Sequence, residues 1–90
     1  MFKILYADEV VNEDLPDILE PWKSDIKRAI ESKLKTRPEV YSRPLRRSLK
    51  GYRKLKVGSY RIVLRIEEET IMIFAIQHRS KVYDSASKRL

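Results

Sequence analysis

Cysteine is absent from the 90 residues. That excludes a disulfide framework and a thiolate metal site. Histidine occurs once, as His78, so a metal centre would need carboxylates for almost all its ligands. Neither a metal nor any other cofactor is expected. No apolar run approaches the roughly 20 residues of a membrane-spanning helix, and no membrane partner is expected. The opening Met1-Phe2-Lys3-Ile4-Leu5-Tyr6 is too short for the apolar region of a signal peptide. The expected location is therefore the cytoplasm. The chain contains no internal repeat and no low-complexity tract. Its length suits one small domain spanning residues 1–90, with a single modest core.

Acid is also missing, but only locally. Residues 1–40 hold seven bases against nine acids, whereas residues 41–90 hold thirteen bases against four acids. Between Tyr41 and Arg65 there are nine basic residues and no acidic one. A positive segment of that kind attracts polyanions, nucleic acid above all. The plainer alternative is a solvated basic face that keeps the protein soluble.

The apolar pattern predicts an α+β fold. Phe2 to Tyr6 reads as a first strand. Val10, Val11, Leu15, Ile18 and Leu19 recur at helical spacing, with Pro16 expected to break or kink the helix. Asp8 to Glu20 holds six acids and no base, which reads as a solvated helix face. Pro21 suits the first turn of a second helix. Trp22, Ile26, Ile30 and Leu34 follow at four-residue steps, with Ala29 beside them, and form its buried stripe. Pro38 to Leu49 is a basic connector with room for a short strand around Pro44 to Leu49.

Three strands follow, Tyr52–Val57, Tyr60–Ile66 and Thr70–Gln77. Ile71 to Ile76 is apolar at every position, the mark of a central strand covered on both faces. Residues 81–90 form a short helix or a mobile tail. The expected architecture is an N-terminal strand and two helices packed on a curled antiparallel β-sheet.

Gly58-Ser59 has the chemistry of a type II′ hairpin turn. A two-residue loop there sets Lys56 opposite Arg61 and Lys54 opposite Val63. By alternation, Leu55, Val57, Ile62, Leu64 and Ile66 face the core, while Tyr52, Lys54, Lys56, Arg61, Val63 and Arg65 face the other way. Like charges directly opposite each other are unfavourable by roughly 0.2–1 kcal/mol, and a bound anion would reverse that sign. The alternative is that the long side chains splay into water. If Glu68-Glu69 forms the next loop, Met72, Phe74 and Ile76 fall on the cationic face, with His78 near its edge. A lone histidine there could equally be structural.

The stretch from Gly51 to Arg65, together with His78-Arg79-Ser80-Lys81-Val82-Tyr83 and Pro44-Leu45-Arg46-Arg47-Ser48-Leu49, resembles the RelE/ParE toxin superfamily. Arg47 stands where that family commonly has glycine. The resemblance implies the toxin of a type II toxin–antitoxin pair, monomeric when free and held by an antitoxin protein. RelE-like members are ribosome-dependent mRNA endonucleases, whereas ParE-like members poison DNA gyrase without catalysis. The resemblance gives catalytic roles to Lys54, Lys56, Arg61, Arg79 and Tyr83. His78 is added from relatives that use a histidine near the end of the last strand. No counterpart is found for the Glu base that some relatives carry.

For a RelE-like toxin the reaction would be attack of a ribose 2′-OH on the adjacent phosphorus, with loss of the 5′ oxygen. It needs a proton acceptor, a proton donor and charge stabilisation on the phosphorane. Lys54 or Lys56 is the candidate base, His78 or Arg79 the candidate acid. Arg61 offers a fork for two phosphate oxygens, and Tyr83 could stack on a base or simply pack on the sheet. Arg43, Arg46, Arg47, Lys50, Arg53 and Arg65 are the candidate RNA-binding residues, for docking on the ribosome and mRNA.

Overall fold

A computed structural model describes all 90 residues. Strand β1 (Lys3–Tyr6) leads into a π-helical segment, Val10–Asp14, that runs directly into the short helix α1 (Leu15–Asp17). Pro16 does not interrupt this helix at the preceding residue. The wide turn closes from the Leu15 N–H to the Val10 carbonyl, and the proline, which lacks an N–H, sits where the helix is already ending. Ile18 is extended. Helix α2 (Trp22–Ala29) continues as a second π-helical segment, Ile30–Leu34.

The connector folds more fully than its sequence suggests. It contains helix α3 (Pro38–Tyr41), the two-residue strand β2 (Arg43–Pro44) and a 3₁₀ turn at Arg47–Leu49. The strand thus falls at the start of the expected segment, because the rest of it turns. Strands β3 (Arg53–Val57), β4 (Tyr60–Glu67) and β5 (Thr70–His78) follow, and α4 (Val82–Arg89) comes after them.

The five strands form one sheet in the order β1-β5-β4-β3-β2. Strands β2 to β5 pair antiparallel as the sequence predicts, but β1 joins β5 in parallel, so the sheet is mixed. β5, the most continuously apolar strand, lies between β1 and β4 and is covered on both faces, as its composition predicts. On one face, Leu55, Ile62, Leu64, Ile71 and Ile73 pack with Ile26, Ala29, Ile30 and Leu34 of the α2 region. On the other, Val63 and Ala75 pack with Leu49 and with Val82 and Ala86 of α4. Helices therefore cover both sides, and residues 81–90 are a structural layer.

Trp22 departs from the rest of its stripe. It is 40% exposed and lies over the hairpin turn, with its Cζ3 2.8 Å from where a Cβ on Gly58 would sit. Gly58 has φ +59 and Ser59 is not left-handed, as a II′ turn requires.

Candidate functional site

The β3–β4 hairpin has the register its sequence predicts: Val57 pairs with Tyr60, Lys56 with Arg61, Leu55 with Ile62 and Lys54 with Val63. Strand β2 adds a cation, because Arg43 pairs with Lys54. Directly opposed residues share a face, so Arg43, Lys54, Lys56 and Arg61 converge on one side of the sheet. None of them is in an ion pair; the paired cations are Arg28, Arg65, Lys88 and Arg89.

The site is held rather than floppy. Arg61 Nη1 donates to the carbonyls of Gly58 and Tyr60, each at 2.8 Å. One arm of the guanidinium is thereby fixed to the turn, and the remaining N–H groups are left for a ligand. Helix α4 carries Tyr83 over the same face, with the Lys54 ammonium 5.9 Å from its ring centroid. Arg79 follows the end of β5, exposed, and its backbone N–H donates to Ser59 O at 2.8 Å. By alternation its side chain falls on the side of Gln77 and Arg61, which are paired across the strands.

His78 is elsewhere. The Glu68-Glu69 loop does have two residues, since Glu67 pairs with Thr70, and Met72 and Phe74 follow the predicted face. A β-bulge then intervenes: Leu64 pairs with Ile73 and Val63 with Ala75, leaving Phe74 as the extra residue. One extra residue inverts the alternation beyond it. Ile76 consequently joins the α2-side core. His78 pairs with Tyr60, its ring 6.1 Å from the Tyr60 ring, and faces away from the cationic side. It is therefore not beside Lys54, Lys56 and Arg61.

The candidate RNA-binding residues divide similarly. Arg43, Arg46, Arg47 and Lys50 are exposed and free of ion pairs. Arg53 is occupied within the fold: Nε donates to Ser42 Oγ at 2.7 Å, and Nη2 donates to the Ser42 and Glu39 carbonyls at 2.9 and 3.2 Å. It satisfies the carbonyl end of α3, a group of acceptors every helix leaves open. Arg65 pairs with Glu67 at 3.1 Å and lies 5.7 Å from the Tyr52 ring.

A buried network beside the site carries no sequence signature. Asp14, expected on a solvated helix face, is 2% exposed. β1 leaves the edge of β5 after Tyr6 pairs with Ile73, and the Asp14 carboxylate takes over as acceptor. It receives the Ile76 N–H at 2.9 Å, the Gln77 amide at 2.8 Å and both arms of Arg89 at 2.8 Å. Arg89 also donates to Phe74 O at 3.1 Å. Burial alone would raise the Asp14 pKa. The Arg89 guanidinium and the Ile76 and Gln77 donors outweigh it, and the carboxyl is held below its ordinary range. Nothing marks either residue in the sequence, one lying in an acidic run and the other in the expected tail.

No group of three or more His, Asp or Glu side chains is placed to hold a metal ion. No helix is long and apolar enough to cross a membrane.

Residues 8–83 match the family model described as the ParE toxin of the type II toxin–antitoxin system parDE. No curated protein gives a significant match to the sequence. Among solved structures, the chain is similar to one in the RelBE2 toxin–antitoxin complex of Mycobacterium tuberculosis. The TM-score is 0.80 at 24% identity, over 87% of this chain and 98% of that one. It is also similar to a chain of the RelB–RelE antitoxin–toxin complex of Methanococcus jannaschii, with TM-score 0.70 at 24% identity, over 90% and 96%. A conserved hypothetical protein of Helicobacter pylori has TM-score 0.58 at 14% identity, over 89% and 97%. At these identities the structural likenesses establish a shared fold.

Proposed function

The chain belongs to the ParE toxin family of type II toxin–antitoxin systems, within the RelE/ParE superfamily, and from that premise we propose that it is a ribosome-dependent mRNA endonuclease. The observation that carries this reading is the convergence of Lys54, Lys56 and Arg61 without a carboxylate partner. A purely structural hairpin gains nothing from Lys56 facing Arg61. A phosphate seated between them turns repulsion into binding and stabilises the charge that grows on a phosphorane.

In this reading Arg61, pinned by two carbonyls, presents its free N–H groups to the phosphate oxygens. Lys54 or Lys56 accepts the 2′-OH proton. Arg79, on the same side, is the donor candidate for the leaving 5′ oxygen, because His78 lies on the opposite face. Tyr83 stands beside Lys54, where it can stack on a base. Arg43, Arg46, Arg47 and Lys50 extend the positive surface for contacts to the RNA backbone, which are salt-dependent and insensitive to sequence. The ribosome would supply the orientation of the mRNA, a large share of the rate. An antitoxin is the partner that holds the toxin in check.

The experiment is induced expression followed by mapping of mRNA 5′ ends on translating ribosomes. Cuts within the A-site codon, lost in Arg61→Ala, are the expected result. The matching family model carries the name of the gyrase-directed branch, which favours a second reading. DNA breaks with intact mRNA would establish it in place of the first.

A further inference from the structure

His78 and Tyr60, left outside the cationic face, line a cavity of their own at the turn end of the sheet. It has a volume of about 150 Å³ and lies between Asp17, Ile18, Tyr60, Gln77, His78 and Lys81. Tyr60 and His78 meet edge to face, with centroids 6.1 Å apart and planes at 77°. Trp22 stands behind Tyr60 at 6.1 Å. The wall is set in place: the Ser80 N–H donates to His78 Nδ1 at 3.1 Å, and Ser80 Oγ lies 2.9 Å from the same nitrogen. The Nε2 edge of His78 is left for a ligand. Asp17 and Lys81 are exposed and neither is in an ion pair.

Position connects this cavity to the phosphate site. Tyr60 and Arg61 are consecutive in one strand and so point to opposite faces. The backbone of Arg79, next to His78, is bonded to the turn at Ser59. A chain seated on Arg61 that rounds this end of the sheet meets Tyr60 and His78 next. Aromatic and imidazole rings beside a cationic track are what unstacked bases of single-stranded RNA use.

We propose that this cavity takes one nucleobase of single-stranded RNA, flanking the phosphate held by Arg61. The base packs on Tyr60 and His78, the acceptor-only Asp17 carboxylate meets its amino edge, and Lys81 lies near the following phosphate. This rests on the RNA-directed reading above and adds a second contact to it.

The test uses the full chain and a short RNA with a 2′-deoxy scissile position, beside the same oligonucleotide made abasic at the flanking nucleotide. Trp22 is the only tryptophan, so its fluorescence reports on Tyr60, and the His78 ring protons are read by NMR. The base-containing RNA is expected to bind about tenfold tighter than the abasic one, as one stacked base warrants, and to shift both signals. His78→Ala, at an exposed position, should erase the difference. Arg61→Ala should weaken both RNAs and preserve their ratio. Equal affinity for the two RNAs in the unaltered protein overturns the proposal while leaving the nuclease reading intact. No measurable affinity for either RNA also overturns the proposal, and the nuclease reading is then decided separately by the mapping of mRNA ends on translating ribosomes. An intact ratio in His78→Ala shows that the base sits elsewhere and likewise overturns the proposal.

Discussion

Asp14 and Arg89 face each other through two parallel hydrogen bonds of 2.8 Å in the interior of the protein. They join the first helical layer to the last. The carboxylate also receives the Ile76 N–H and the Gln77 amide, so one side chain fastens the edge of β5 and the end of α4 together.

Removing either partner strands the other. Asp14→Ala and Arg89→Ala should each destabilise the fold by about 3–5 kcal/mol, the range for breaking a buried ion pair. Chemical denaturation measures this. A loss below 1 kcal/mol would show that α4 is held by Val82 and Ala86 alone.

The same pair predicts acid sensitivity with a definite sign. The Asp14 pKa is lower in the folded state, below about 3.9 for an unperturbed aspartate. Its stabilisation is full above that unfolded value and is lost as pH falls through the folded one. The stability gap between the native protein and Asp14→Asn should therefore stay constant from pH 7 to about 5 and narrow below about 4. Denaturation midpoints across this range give the comparison.

Lys56→Ala should separate function from stability. It removes the like-charge pair with Arg61, so the folded state should gain about 0.2–1 kcal/mol. Growth inhibition on induction should nonetheless be relieved. A large fall in melting temperature would contradict the solvent-facing position of Lys56.

Arg47 holds a left-handed backbone, φ 60, a conformation that favours glycine. A side chain there costs about 1–2 kcal/mol, and glycine returns part of that in chain entropy. Arg47→Gly should raise the melting temperature by several degrees, at about 4–8 °C per kcal/mol for a domain of this size.

At Gly58 the opposite change is unfavourable twice over. Gly58→Ala puts a methyl at φ +59 and into the Trp22 ring. Overpacking of this kind costs about 1–3 kcal/mol. Trp22 should swing out, seen as a red shift of its fluorescence with the hairpin otherwise intact.

Local chemistry was readable where it alone decides the geometry. Gly58-Ser59 set the turn, the turn set the register, and alternation then placed Lys54, Lys56 and Arg61 together. The apolar run Ile71 to Ile76 announced a central strand. The bulge at Phe74 was invisible, because a continuous apolar run carries no parity to show a slip, and it moved His78 to the other face. Asp14 and Arg53 read as surface residues, and Arg89 carries no mark at all, for a common reason. Charged side chains look like surface until the fold brings them a buried partner, and those partners lie 62 to 75 residues away for Asp14, and 11 to 14 away for Arg53. The parallel placement of β1 likewise depends on a strand near the other end of the sequence.

Vectorial synthesis gives the Asp14–Arg89 pair a further meaning. Asp14 leaves the ribosome 75 residues before Arg89, and until Arg89 emerges the last turn of α4 has nothing to fasten it. Until α4 is made, Val63 and Ala75 lack the Val82 and Ala86 side chains that cover them, and Tyr83 is not yet set beside Lys54. The assembled cationic face is thus a late event in the folding of this domain, made only after the codons of α4 have been read.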